Sequence, residues 1–318
     1  MPEFDIIRRY FQEKTHRNDI VRIGIGDDAA VLNIQTDTNL VVAVDTLVAG
    51  VHFPLNTTPH DIGFKALAVN LSDLAAMGAT PCWMTLALTL PQADELWLSE
   101  FSKGLFVLAD KFHVALVGGD TTQGPLTISI QVGGVVTKDK ALLRSGAKPG
   151  DVILVTGMLG DAARGLQLLQ QQDSDIPDEY LAQLNRPSPR IAAGQQLLDV
   201  ATACIDISDG LYSDLSHITT ASGVGAIIEL EQLPLSPTLR DDAITQSEKY
   251  RLALGGGDDY ELCFTVSESQ LAATQTRLAD IEVPCAVIGC ITDGNSVMLH
   301  SSEGSEITTD TLGYQHFT

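Results

Sequence analysis

Aspartates set beside glycine or serine at the edges of apolar runs are the residues of this chain best placed to do chemistry. The segment Gly24-Ile25-Gly26-Asp27-Asp28-Ala29-Ala30-Val31 puts two adjacent carboxylates after a Gly-x-Gly turn and directly before small apolar residues. The device recurs in Val44-Asp45-Thr46, Asn70-Leu71-Ser72-Asp73, Gly118-Gly119-Asp120-Thr121-Thr122, Asp206-Ile207-Ser208-Asp209-Gly210 and Gly255-Gly256-Gly257-Asp258-Asp259. Glycine reaches backbone angles that other residues avoid, so a carboxylate next to it can be aimed sharply. Any single instance reads equally as a turn or a helix cap. The repetition needs another reason, because carboxylates against hydrophobic segments are costly without a positive partner. Lysines are few here, Lys65 and Lys140 being the nearest in sequence. Divalent cations fill the gap. Magnesium takes oxygen ligands, usually one or two carboxylates plus substrate phosphates. Several such arms point to several ions, and several ions to a polyphosphate such as ATP. Phosphoryl transfer needs mainly positioning and charge stabilisation, which metal ions supply.

The familiar nucleotide-binding signatures are missing. There is no G-x-x-x-x-G-K-[ST] loop, no protein-kinase catalytic-loop set, no dinucleotide fingerprint and no G-x-S-x-G. Phosphates would have to be held by metal ions, one or two arginines and glycine-loop amides. The formal net charge of −22 argues against a nucleic-acid or anionic-membrane partner. Cys82, Cys204, Cys263, Cys285 and Cys290 are odd in number, lie in apolar surroundings and form no C-x-x-C. They read as reduced, buried thiols of a cytoplasmic protein. Glu3, Asp5, Arg8 and Arg9 make the first eleven residues unlike a signal peptide. No apolar run approaches the ~18 residues that a membrane helix needs.

With 318 residues, 44% of them hydrophobic, the chain has material for about two domains. Helical spacing is expected at 4–11, and a buried strand at 40–44, ending in Asp45-Thr46. A long helix is expected over 60–77, with Gly78 past its end. On that helix Asn70 and Asp73 share a face; the pair reads as functional or as a buried hydrogen-bonded pair. Strands follow at 82–90 and 114–117, the second feeding the Gly118-Gly119-Asp120 turn, with a helix at 93–112 between them and another strand at 126–136. Turn formers and basic residues in Arg144-Ser145-Gly146-Ala147-Lys148-Pro149-Gly150-Asp151 mark a domain break near residue 146. Beyond it come strands at 152–156, 204–207, 226–230 and 262–266. Helices are expected at 161–170, 189–203, 243–254 and 270–281, with an exposed loop at 171–179. A further helix runs from Ser208-Asp209-Gly210 to 221, its N-terminus offering free N–H groups as a seat for phosphate.

In fixed order, the blocks G-I-G-D-D-A-A, V-D-T-L-V-A-G-V-H-F, K-A-L-A-V-N-L-S-D-L-A-A-M-G-A, G-G-D-T-T, R-S-G-A-K-P-G-D, I-D-I-S-D-G-L and G-G-G-D-D-Y-E-L resemble thiamine-monophosphate kinase over nearly the whole chain. The wider superfamily includes the aminoimidazole-ribonucleotide and selenophosphate synthetases and a hydrogenase-maturation protein. The resemblance implies an α/β, α+β architecture in two domains. Residues 1–146 would form a mixed-sheet domain that binds metal and ATP and dimerises through its strands. Residues 147–318 would form an α+β domain completing the substrate site.

The implied reaction is direct transfer of the ATP γ-phosphoryl to thiamine monophosphate, without a phosphoenzyme. By motif, Asp28, Asp45, Asp73, Asp120, Asp206 and Asp209 would bind magnesium with help from the Val44 carbonyl. Gly119, Asp120, Arg144 and Ser208 would contact ATP. His52, Asp258 and Tyr314 would contact thiamine phosphate, an aromatic and a carboxylate suiting a cationic heteroaromatic ligand. Two positions depart from the family: Ala43 where relatives often have a hydroxyl residue, and Asp258 where they often have Glu. Asp27 and Asp259 read as ligands or as cap or turn residues. The alternatives are another ATP-using synthetase of the superfamily, or a non-catalytic acidic metal-binding protein. The first cysteine, Cys82, and the C-terminal Thr318 fit the selenophosphate and hydrogenase-maturation relatives poorly.

Overall fold

The computed structural model describes residues 3–16, 18–301 and 313. The chain divides into two compact units, one of residues 1–74 and 79–139 and the other of 75–78 and 140–318.

In the first unit, α1 (Glu3–Ile6) runs into a wider helical turn, Ile7–Gln12, so the expected helix is present. A hairpin of β1 (Val21–Ile23) and β2 (Val31–Leu32) follows. The remaining elements are β3 (Thr38–Val48), α2 (Pro59–Ala76), β4 (Thr80–Leu90), α3 (Glu95–Lys111), β5 (Ala115–Gln123) and β6 (Thr127–Thr137). Four strands form one sheet in the order β3-β6-β4-β5. Only β4 and β5 run parallel. Asp94 starts α3 by accepting the N–H groups of Leu96 and Trp97, the usual N-cap device. The Ala-, Leu- and Val-rich α2 is buried on most sides.

Two expectations need correction. The strand at 40–44 is longer and is not buried. Alternation puts Leu40, Val42 and Val44 of β3 on one face of the sheet, where they are exposed at 43%, 47% and 59%. The Gly118-Gly119-Asp120 segment is not a turn either; it lies within β5. Glycine is needed at 119 for close approach, since a Cβ there would collide with the Leu86 carbonyl of β4.

In the second unit the elements are β7 (Val152–Thr156), α4 (Asp161–Gln170), α5 (Asp178–Asn185), α6 (Ile191–Leu197), β8 (Ala203–Asp206), α7 (Leu211–Ser222), β9 (Gly225–Glu229), α8 (Pro237–Asp241), α9 (Gln246–Gly255), β10 (Leu262–Val266), α10 (Leu271–Ala279), β11 (Cys285–Thr292) and β12 (Val297–His300). The six strands are ordered β12-β9-β11-β7-β10-β8. A core of Ile153, Val155, Ile205, Leu211, Leu215 and Ile288, among others, joins the sheet to its helices. The helix expected at 189–203 is shorter: Leu198 leaves helical angles and Asp199 has φ +63°. Buried thiols are found at Cys82, Cys204 and Cys263, but Cys285 is half-buried and Cys290 exposed. Strand alternation turns Cys290 outward while Ile291 faces the core.

Candidate functional site

In the first unit, Asp45 sits in mid-strand on β3, and its N–H donates to Asn70 Oδ1 at 3.0 Å. Asn70, buried in α2, also donates from Nδ2 to the Ala66 carbonyl at 3.0 Å. Asn70 is therefore buried and hydrogen-bonded to the backbone of Asp45 and Ala66. Asp73 follows three residues on, on the same helix face and half-buried. Cross-strand pairing aligns Asp45 with Ile130, Leu86 and Gly119, and Asp120 falls in the neighbouring row with Ala87 and Ser129. Asp45 and Asp120 thus stand at opposite edges of the sheet, three strand spacings or about 14 Å apart. One ion cannot span them there. Asp28 is exposed, and its N–H donates to Asp27 Oδ1 at 2.9 Å, so Asp27 serves as a turn residue.

His52 is half-buried in the loop after β3. The Val48 N–H donates to its Nδ1 at 3.0 Å. An accepting Nδ1 leaves the proton of the neutral ring on Nε2.

In the second unit, β8 and β10 pair antiparallel, with Asp206 opposite Leu262. The ladder continues past both strand ends. Ile207 N–H donates to the Glu261 carbonyl at 2.8 Å, Tyr260 N–H to Ile207 O at 2.8 Å, and Asp258 N–H to Ser208 O at 3.0 Å. Ser208 and Asp258, expected to contact different substrates, are therefore fixed on one backbone frame. Asp206 is buried and Asp209 half-buried.

Two amides in the turn that leads into α7 are already taken. Asp214, in the first turn of that helix, accepts the N–H groups of Ser208 and Asp209 at 3.0 and 3.1 Å. Burial first, then the charges of Asp206 and Asp209, push the Asp214 carboxyl up to about 7. Asp259 acts as a tertiary cap: its Oδ1 accepts the Gly160 N–H at 3.0 Å at the start of α4.

Arg144 is exposed, as are Gly119 and Asp120, and the expected thiamine contact Tyr314 lies outside the described residues. Among the described residues, no group of three or more His, Cys, Asp or Glu side chains is already gathered as for a metal ion. The donors nevertheless fit a hard dication. They are carboxylates and one carbonyl, and the crowding of Asp206, Asp209 and Asp214 is relieved by added positive charge.

Residues 26–136 match the family model "AIR synthase related protein, N-terminal domain", and residues 148–301 match its C-terminal counterpart. The chain is 49% identical to thiamine-monophosphate kinase of Escherichia coli O157:H7, over 99% of this chain and 98% of that one. The chain belongs to the thiamine-monophosphate kinase family. The crystal structure of thiamine-monophosphate kinase from Stenotrophomonas maltophilia K279a is 44% identical, with a TM-score of 0.88, covering 97% of this chain and 98% of that one. The structure of AaThiL complexed with AMPPCP and TMP is 30% identical, with a TM-score of 0.77, covering 99% and 96%.

In this thiamine-monophosphate kinase family member, three polar residues contact expected site residues in ways that spacing alone did not disclose. Asn70 anchors Asp45, Asp214 gathers two amides, and Tyr260 donates its hydroxyl proton to Asp258. The sequence signal for Asp214 is an acid one turn into a helix that otherwise turns Leu211, Leu215 and Ile218 to the core.

Proposed function

We propose that this chain transfers the γ-phosphoryl group of ATP to thiamine monophosphate. The bond from the γ-phosphorus to the β–γ bridging oxygen breaks, and a terminal phosphate oxygen of thiamine monophosphate forms the new bond. The products are thiamine diphosphate and ADP. The observation that carries this reading is the 49% identity to the Escherichia coli kinase along nearly the full length of both chains.

Asp28, Asp45, Asp73, Asp120, Asp206, Asp209 and the Val44 carbonyl would hold magnesium. Bound there, the ions supply positive charge and a template for the phosphates. Asn70 keeps the Asp45 segment in place, and Asp214 holds the Ser208-Asp209 turn by its two amides. Gly119, Asp120, Arg144 and Ser208 contact ATP in this reading. His52, with its proton on Nε2, donates toward thiamine phosphate, and Asp258 and Tyr314 complete that contact.

We place the functional division near residue 146, which the interval between the matched segments 26–136 and 148–301 supports. The exposed apolar row on β3 supports a homodimer joined through the strands of residues 1–146. A cytoplasmic location fits the free, buried Cys82, Cys204 and Cys263. Among the described residues no helix is long and apolar enough to cross a membrane.

Incubation with ATP, Mg²⁺ and thiamine monophosphate tests the reading. Thiamine diphosphate and ADP should appear in equal amounts. ADP release that instead requires an aminoimidazole precursor would transfer the assignment to a synthetase of the same superfamily.

A further inference from the structure

Tyr260 and Asp258 both have left-handed backbones, at φ +49° and +71°. A bulky residue there is a genuine outlier, and it persists only where its surroundings over-determine it. Around Tyr260 they do. Its N–H is tied to Ile207 O, and that of Asp258 to Ser208 O. On the C-terminal side, Glu261 accepts Arg190 Nε at 2.6 Å and Nη2 at 2.5 Å, and the Thr156 hydroxyl at 2.6 Å. Gly157 leaves room for this carboxylate, because a Cβ there would overlap it. Between the two residues, Asp259 is held by the Gly160 N–H. The framework leaves the Tyr260 side chain buried, with its hydroxyl 3.1 Å from Asp258 Oδ1.

We propose that Tyr260 is a positioning residue for thiamine monophosphate. Its hydroxyl donates to Asp258 and fixes the rotamer in which that carboxylate meets the cationic part of the substrate. The inference rests on the reading of Asp258 as a substrate contact. An arm held in advance surrenders less rotamer freedom on binding than one that swings. The nucleotide does not depend on that arm, so the effect belongs to one substrate only.

Tyr260→Phe keeps the ring and its packing and removes the hydroxyl. The variant should raise KM for thiamine monophosphate by up to about tenfold, the most that holding one side chain in advance is worth. The Kd for thiamine monophosphate measured by calorimetry should rise with it. KM for ATP and kcat should stay near wild type, and Tm should fall by a few degrees at most. Asp258→Asn should raise the same KM at least as far, and the double variant should match Asp258→Asn alone. If Asp258→Asn raises KM and Tyr260→Phe does not, the brace is refuted while the role of Asp258 stands. If neither changes KM, the substrate role of Asp258 falls and the brace with it. A Tyr260→Phe protein with Tm lowered by about ten degrees or more and both KM values raised alike would make Tyr260 a packing residue, which also overturns the proposal.

Discussion

Asn70 spends both ends of its amide on backbone groups, one on β3 and one on its own helix. Removing the acceptor of the part-buried Asp45 N–H costs about 1–3 kcal/mol. Asn70→Ala should therefore lower Tm and also raise the Mg²⁺ concentration needed for half-maximal activity. Asn70→Asp keeps an acceptor oxygen and should recover part of the first effect. Thermal melts and a magnesium titration of both variants check this. That Asn70 and Asp73 share a helix face was legible from their spacing of three. Which strand the amide would reach was not, because that partner lies 25 residues away and is set by packing. The same holds for Asp214. Its helix position was readable, but the bend that turns two amides toward it was not.

Helices α4, α5 and α8 are tied together by a single carboxylate just past the end of α8. Asp242 accepts Arg164 Nε at 2.8 Å and Nη2 at 3.1 Å, and the Tyr180 hydroxyl at 3.1 Å. Burial works to raise its pKa, but the hydrogen bonds and charge of Arg164, with help from Tyr180, hold the carboxyl below its ordinary range. A depressed folded pKa contributes stability that is complete above the unfolded value and is lost as pH falls through the folded one. From about pH 5 to pH 3, Tm of the wild type should thus fall more steeply than that of Asp242→Asn, and the gap, largest at pH 7, should close. Chemical or thermal unfolding across that range measures it. Elements bounded by strong local signals were legible: β7, α4 and β10 occupy the residues expected of them. β5 was cut short because Gly118-Gly119 reads as a turn, whereas Gly119 is there to admit the neighbouring strand. The hairpin β1–β2 and the strands β11 and β12 carry patterns too short or too irregular to stand out, β11 having a register shift at Val287.

The proposed homodimer is where the row Leu40, Val42, Val44 acquires meaning. These side chains are 43–59% exposed on a strand of eleven residues. Val42→Glu places a charge on that row without touching a proposed ligand. In a homodimer joined there, the variant should sediment as a monomer and lose activity on dilution, whereas a protomer that works alone should show neither change. Analytical ultracentrifugation across a concentration series decides between them. Apolar character at 40–44 was legible; that it faces outward was not, because which face of a sheet is covered is a property of the whole chain.

An open terminal strand has one more consequence, for the chain as it is made. Until something covers β3, a nascent protomer displays a terminal strand beside exposed valines and leucine, a template for misassembly with other unfinished chains. Yield in overproduction is then governed by how fast chains accumulate relative to how fast that strand is covered, so slow synthesis at low temperature favours recovery of native material.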